Sequence, residues 1–355
     1  MSQIRIAFLA TPALLTACGF AGDRASPAFV EETLAVADTV VTTESALIGY
    51  ATDLAVGPGG RLYLTDARLS HVLTVGPGGE DPRTIGREGS GPGEFATPWS
   101  LAVSGDGVWV FDMRHGRVLE FDAAGGYVGS YVVGEPTAMT GIAPNARGEL
   151  AAATGGRDSA LVAVLGADGE RLRAFGEPVV PPVTMWDFTS IKDRIRRGEV
   201  PAEFRNSVRP AWAADGSVVV AFDTEREVRR YGPDGALVWA RPLEDPALEA
   251  ARAEFVRANT EDPDPTRLAP LRYVRDVFVA GDEVWLLLDT TTLNDGVVLV
   301  LDATDGAPRR RLVLPGLPGG NAFALDAERG RLYLAVGDEA MVVVAEVGAV
   351  SEGTE

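Results

Sequence analysis

Few side chains in this 355-residue chain could carry chemistry, and most repeat. His71 and His115 are its only histidines and Cys18 its only cysteine. Two imidazoles cannot assemble a three-histidine zinc site, and one thiol forms no internal disulfide. Asp66, Asp112, Asp223 and Asp289 each end a short apolar run. A carboxylate recurring this way reads as a turn device that accepts N–H bonds in the following loop, because catalysis needs an asymmetric constellation. The two histidines are read as structural, since neither occupies a unique place in the repeat. No EF-hand loop, P-loop, nucleophile elbow or zinc-ligand spacing is present.

The elements that must hold these residues recur. A Gly turn and an apolar strand ending near Asp appear as GGRLYLTD (Gly59 to Asp66), DGVWVFD (Asp106 to Asp112), DGSVVVAFD (Asp215 to Asp223), DEVWLLLD (Asp282 to Asp289) and RGRLYLAVGD (Arg329 to Asp338). Arg147 to Thr154 is a weaker sixth copy. Short strands lie on both sides of most copies, such as SLAV at Ser100 and RVLEF at Arg117. Strands broken by turn signals about every 8–12 residues indicate an all-β fold. A unit of about 40–50 residues with four strands indicates a propeller blade. The chain is therefore expected to be a six-bladed β-propeller of four-stranded blades over residues 33–348. Its last unit stops after three strands, and the orphan segment Thr33 to Glu44 is read as the missing outer strand. Closure of this kind removes an exposed blade edge.

The second unit resembles the NHL repeat family. The resemblance rests on Gly91, Gly93, Phe95 and Pro98, then Leu101-Ala102-Val103, Asp112, and Arg117-Val118 leading to Phe121-Asp122. The other units keep the turn and strand but lose this lead-in. The resemblance implies a six-bladed propeller, a fold that hosts receptors, scaffolds and several enzymes, so fold alone does not choose among them. The three-histidine zinc site of NHL-like amidating lyases has no counterpart here. Lactonase-type propellers hold a metal at the channel mouth with Glu, Asp and Asn. The residues starting the inner strands, Asp53, Ser100, Gly141, Arg209, Asp276 and Phe323, should ring that mouth. Only Asp53 and Asp276 match the metal-holding type, and Arg209 beside them would repel a cation. Asp53, Arg209 and Asp276 are candidate ligand-binding residues, with direct pairing among themselves the simpler reading.

Two segments interrupt the repeat, Pro178 to Arg209 and Glu244 to Arg272. Both join the fourth strand of one blade to the first strand of the next. Because strands alternate in direction, both emerge on one face, where function concentrates on loops. Each is expected to carry a short helix. Phe188, Ile191 and Ile195 form an apolar face stopped at Gly198. Asp245 caps a second helix, Pro246 opens it, and Leu248, Ala251 and Phe255 face the rim. Asp262-Pro263-Asp264-Pro265 ends it. In the first insertion Lys192, Arg194, Arg196, Arg197, Arg205 and Arg209 outnumber acids such as Asp193, Glu199 and Glu203. Arg194, Arg196 and Arg197 are candidates for a lid that meets an anion. A solvated helix face paired with its own carboxylates is the simpler reading.

The N-terminus reads as a processing segment. Ile6 to Leu15 is apolar but too short to span a bilayer, and Leu15-Thr16-Ala17-Cys18 matches a bacterial lipobox. Residues 1–17 are thus expected to be a signal peptide, Cys18 the lipidated residue, 18–32 a tether and 349–355 a disordered tail. A tether of about 15 residues holds the propeller about 20 Å from the membrane. Gly19 favours the outer membrane, facing the periplasm or the surface. The net charge of −19 argues against nucleic acid and against a polybasic membrane-docking surface.

The expected function is a monomeric, non-catalytic envelope platform without cofactor or metal, presenting the insertion face to a protein, peptide or glycan. A metal-dependent hydrolase or lyase of lactonase type, or a scaffold subunit of an outer-membrane complex, are the alternatives. Cys18→Ser should move the protein from the membrane to the soluble fraction. Continued membrane partitioning of that variant would overturn the anchor assignment.

Overall fold

The structure, a computed structural model, describes residues 29–42, 47–105, 107–133, 141–145, 147–183, 185–264, 266–317, 319–336 and 341–348. The stretch read as a signal peptide, Cys18, most of the stretch read as a tether and residues 349–355 lie outside the described residues.

Six blades surround a channel. The first blade comprises Ala51–Val56, Leu62–Asp66, His71–Val75 and Arg83–Ile85. The second comprises Pro98–Ser104, Gly107–Asp112, Arg117–Asp122 and Tyr127–Val132. Ile142–Pro144, Leu150–Ala153, Val162–Leu165 and Arg171–Phe175 build the third. Val208–Trp212, Val218–Phe222, Glu227–Tyr231 and Leu237–Pro242 build the fourth. The fifth holds Val274–Ala280, Glu283–Leu288, Gly296–Asp302 and Pro308–Leu314. Ala322–Asp326, Arg331–Val336 and Met341–Glu346 form the sixth, completed by Val36–Val41.

Burial explains the composition of each strand position. Second strands such as Leu62–Asp66, Val218–Phe222 and Glu283–Leu288 are buried at every residue. They are covered on both faces, so they read as continuous apolar runs rather than alternating ones. Outer strands meet solvent, as in Tyr127–Val132, where Val128 and Val132 are exposed. The best-preserved lead-in also has a packing reason. Phe95 is fully buried and stacks on Phe121 at 5.5 Å, in a cluster with Tyr63, Val72 and Ile85 of the first blade.

The recurrent aspartates act as turn devices. Asp66 accepts the N–H groups of Gly49 and Tyr50, which lead into its blade, and those of Arg68 and Leu69 in the next loop. Asp112 does the same for Ala96 and Thr97. Each carboxylate ties the chain entering a blade to the end of that blade's second strand.

Val36–Val41 pairs antiparallel with Met341–Glu346 and closes the sixth blade from the N-terminal side. A further strand, Val30–Thr33, precedes it. It lies parallel on the outer edge of the fifth blade, from Val30 opposite Arg310 to Thr33 opposite Val313. Glu31 pairs with Arg311 at 2.9 Å. Three of its four residues fall within the stretch read as tether. An open blade edge offers unpaired backbone groups, and this segment satisfies them.

Among the described residues the insertions carry three α-helices, one more than expected. Helix α1 is Phe188–Arg196, capped by Asp187, whose carboxylate accepts the Ser190 N–H. Helix α2 is Ala202–Arg205. Helix α3 is Pro246–Glu261, capped by Asp245 through the Ala247 N–H and ending before Asp262. Ile191, Ile195, Leu248 and Phe255 are buried against the fourth and fifth blades. Phe188 departs from the expected apolar face: it is exposed at the helix start and packs on Trp186 at 6.2 Å. Lys192 is buried, and its Nζ donates to the carbonyls of Asp262 and Asp264, pinning the loop after α3 to α1. No helix among the described residues is long and apolar enough to cross a membrane.

The two N-terminal strands differ in importance. A chain starting at Ala35 loses the parallel pairing with the buried Leu34 and the packing of Phe29, and should melt a few degrees lower. One starting at Leu47 also opens the ring and should aggregate on heating. Equal melting curves and equal light scattering for the two would contradict closure by Val36–Val41.

Candidate functional site

First strands of all six blades line the channel. A cavity of about 440 Å³ runs from Asp53 and Asp276 to the loops at Asn145, Arg147, Ala213 and Ala214. Those loops lie at the end opposite the insertions, so the larger opening is not where the sequence placed the mouth. On the insertion side the channel narrows to about 50 Å³, bounded by groups such as Ser100, Arg209, Arg275 and Asn321. Asp53 and Asp276 border both spaces.

Local structure places these two carboxylates alike. In each blade the strand register shifts just before the aspartate, between Ala51 and Asp53 and between Val274 and Asp276. A bulge of this kind re-aims a side chain. Oδ1 of each accepts the next residue's N–H, from Leu54 and Val277, both at 2.8 Å. Oδ2 reaches the neighbouring blade, at Leu101 N (2.8 Å) and Phe323 N (3.1 Å). Each carboxylate therefore bridges adjacent blades.

Their protonation is shifted in one direction. Enclosure in protein, followed by the like charge of Asp276, pushes the Asp53 carboxyl well above the usual range. Its bonds from Leu101 and Leu54, and the charge of Arg209, act the other way. Enclosure raises Asp276 to about 6, against its bonds from Phe323 and Val277 and the Arg209 charge.

The remaining ring positions are less alike than the sequence suggested. Arg209 does not form the expected ion pair with Asp53 or Asp276. Its Nε donates to Asp223 Oδ1 at 2.8 Å and to the Val274 carbonyl at 3.1 Å. Asp223 also accepts from Ser207 Oγ at 2.6 Å. Gly141 lies against the Val208 carbonyl so closely that any Cβ would collide with it. Phe323 buries its ring against Phe278. Ser100 is buried, and among the described residues its Oγ has no hydrogen-bond partner.

Sequence reasoning missed Arg275 and Arg272. Arg275 pairs with Asp289 at 3.0 Å. Burial, then the Arg209 charge, hold the Arg272 guanidinium below its ordinary value. Arg272 ends the second insertion and Arg275 follows it, and nothing in their spacing marks them. The lid arginines are engaged locally: Arg194 with Glu203 at 2.6 Å, Arg196 with Asp193 and Arg197 with Glu199, both at 2.9 Å. His71 Nε2 lies 3.3 Å from the Leu47 carbonyl, and His115 Nδ1 lies 2.6 Å from Asp112 Oδ2. Among the described residues, no three His, Cys, Asp or Glu side chains are grouped to hold a metal ion.

Residues 39–132 match a family model described as a 6-bladed beta-propeller. Among solved structures, the chain is similar to a Bacteroides fragilis protein at 11% identity and TM-score 0.53, covering 89% of this chain and 99% of that one. It is similar to U3-55K at 13% identity and TM-score 0.50, covering 84% and 80%. Virginiamycin B lyase from Staphylococcus aureus matches at 10% identity and TM-score 0.46, covering 85% of each chain. At such identities the likeness shows the fold alone. No curated protein matches the chain in sequence.

The shifted carboxyls predict a pH dependence. A folded pKa above the ordinary 3.8 means the fold prefers the protonated form. That stability is complete below about pH 4 and is lost as pH rises through about 6. Asp276→Asn removes the titration. Relative to that variant, the native protein should lose about 1–3 kcal/mol between pH 4 and 7 in urea unfolding. A pH-independent difference would show that Asp276 titrates as an ordinary carboxylate.

Proposed function

We propose that this propeller binds a protein or peptide partner on its insertion-bearing face, without chemistry there, and is held at the bacterial envelope by a lipid on Cys18. An apolar patch beside α1 is the observation that supports this reading. Met185 is 84% exposed and Trp186 47%, next to exposed Val183 and Phe188. Large apolar side chains grouped on a surface mark an interaction site more often than scattered ones do.

The patch is braced from beneath. Trp186 meets Phe204 edge-on at 5.5 Å, and Phe204 meets the buried Phe255 of α3 edge-on at 6.2 Å. A ring already held in place loses little further freedom when a partner covers it. The exposed pairs Arg196–Asp193 and Arg197–Glu199 supply a polar rim, as binding surfaces commonly have. In a chain of net charge −19, this locally basic segment favours a partner stretch with apolar side chains flanked by acidic ones. The histidines and recurrent aspartates are engaged in holding loops, which favours binding over catalysis.

A photo-crosslinking residue at Met185 should give a discrete adduct in cells, and one at Val238 on the outer strand of the fourth blade should not. Trp186→Ala should weaken the captured partner by about 2 kcal/mol, roughly thirtyfold. Equal adducts at both positions, or unchanged affinity in the Trp186 variant, would sink the assignment.

A further inference from the structure

The channel carries a second feature, independent of the outer face and at the opposite end from it. Its cavity of about 440 Å³ falls within the range of about 300–1,000 Å³ typical of small-molecule sites. The walls are largely apolar, with Leu101, Ile142, Val277 and Leu325 among them. Two aromatic side chains, Trp212 and Phe278, come from adjacent blades. The Trp212 ring is fixed by its Nε1, which donates to the Ala143 carbonyl at 2.8 Å.

Polar groups converge at one end. Each carboxylate oxygen of Asp53 and Asp276 accepts a single backbone N–H, which leaves acceptor capacity on all of them. Among the described residues neither carboxylate is in an ion pair, while the Arg209 Nε is engaged by Asp223 and Val274. Ser100, buried and with no Oγ partner among the described residues, borders the narrow space that both carboxylates share. Two acids with acceptor capacity to spare, beside a buried hydroxyl, call for a donor-rich, positively charged group.

We propose that the channel binds a small amine with an apolar body, its ammonium on Asp53 and Asp276 and its body against Trp212 and Phe278. An ammonium entering from the cavity side reaches the acids before the arginines that lie beyond them. Arg209 and Arg275 border the pair from the insertion side, with Arg272 behind them. With only about 50 Å³ left between these side chains, the ligand enters from the wider end, at the loops of Asn145 and Arg147. The ammonium competes with protons for the two carboxyls. Binding therefore strengthens as pH rises past the point where Asp276 ionises, near 6.

The test uses 4-phenylbutylamine, 4-phenylbutanol and 4-phenylbutyrate, titrated into the full chain in detergent by calorimetry. The amine should bind at least tenfold more tightly than the alcohol, the carboxylate should show no heat, and amine affinity should be higher at pH 8 than at pH 5. Asp276→Asn should weaken the amine at least tenfold. Because that change also touches a bond between blades, Ala102→Phe serves as the second variant. It fills the cavity from the second blade and should abolish amine binding while the melting temperature stays within a few degrees. Equal affinity for amine and alcohol, preference for the carboxylate, absence of amine binding, or amine binding that survives Ala102→Phe would each overturn the proposal. None of these outcomes bears on the patch at Trp186.

Discussion

Ring closure is the constraint on which the rest of this protein depends. Second strands buried on both faces are stable only while a neighbouring blade covers each side. The last blade has only three strands of its own and borrows Val36–Val41 from the opposite end of the chain. That pairing costs the closure entropy of almost the whole domain, though the cost grows slowly with loop length. Once made, it seats the sixth blade on the first, where Asn321 Nδ2 reaches the Ala51 carbonyl and the Tyr333 hydroxyl reaches the Pro77 carbonyl. The parallel strand Val30–Thr33 extends the same clasp to the fifth blade.

Within the closed ring, carboxylates take two different roles according to their partners. Asp66 and Asp112 sit in loops where several N–H groups converge on them, so the charge is compensated by dipoles. Asp53 and Asp276 each receive only two N–H bonds and face an enclosed channel. Burying a charge with so little compensation is costly, and the shifted protonation follows from it. Arginines add a second layer: Arg209 and Arg275 pair with the recurrent Asp223 and Asp289, and the Arg209 charge offsets only part of the cost of burying the inner pair. The channel thus runs from a narrow end lined by paired arginines, past two acids, to an apolar cavity.

Much of the fold was legible because its signals are local. Gly turns before apolar runs, the helix start at Asp245-Pro246 and the stop at Asp262-Pro263 all act within a few residues. The orphan strand was legible for a different reason: a unit counted as one strand short demands one elsewhere. Val30–Thr33 escaped notice because VEET has no alternation and its partner lies 280 positions away, as the Glu31–Arg311 bond shows. Phe188 misled because helical spacing does not tell which turn reaches the rim.

The sequence alone determined the number of blades, the strand order within them and the place of the insertions, since these depend on turn chemistry and periodicity. It also singled out Asp53, Arg209 and Asp276 as the break in symmetry. Tertiary structure decided that Arg209 would pair with Asp223, that the larger cavity would open away from the insertions, and that Trp186 would stand exposed on a ladder of rings. Partner choice among charges, and the space left between six converging strands, depend on distances between residues far apart in sequence. No local pattern carries those distances.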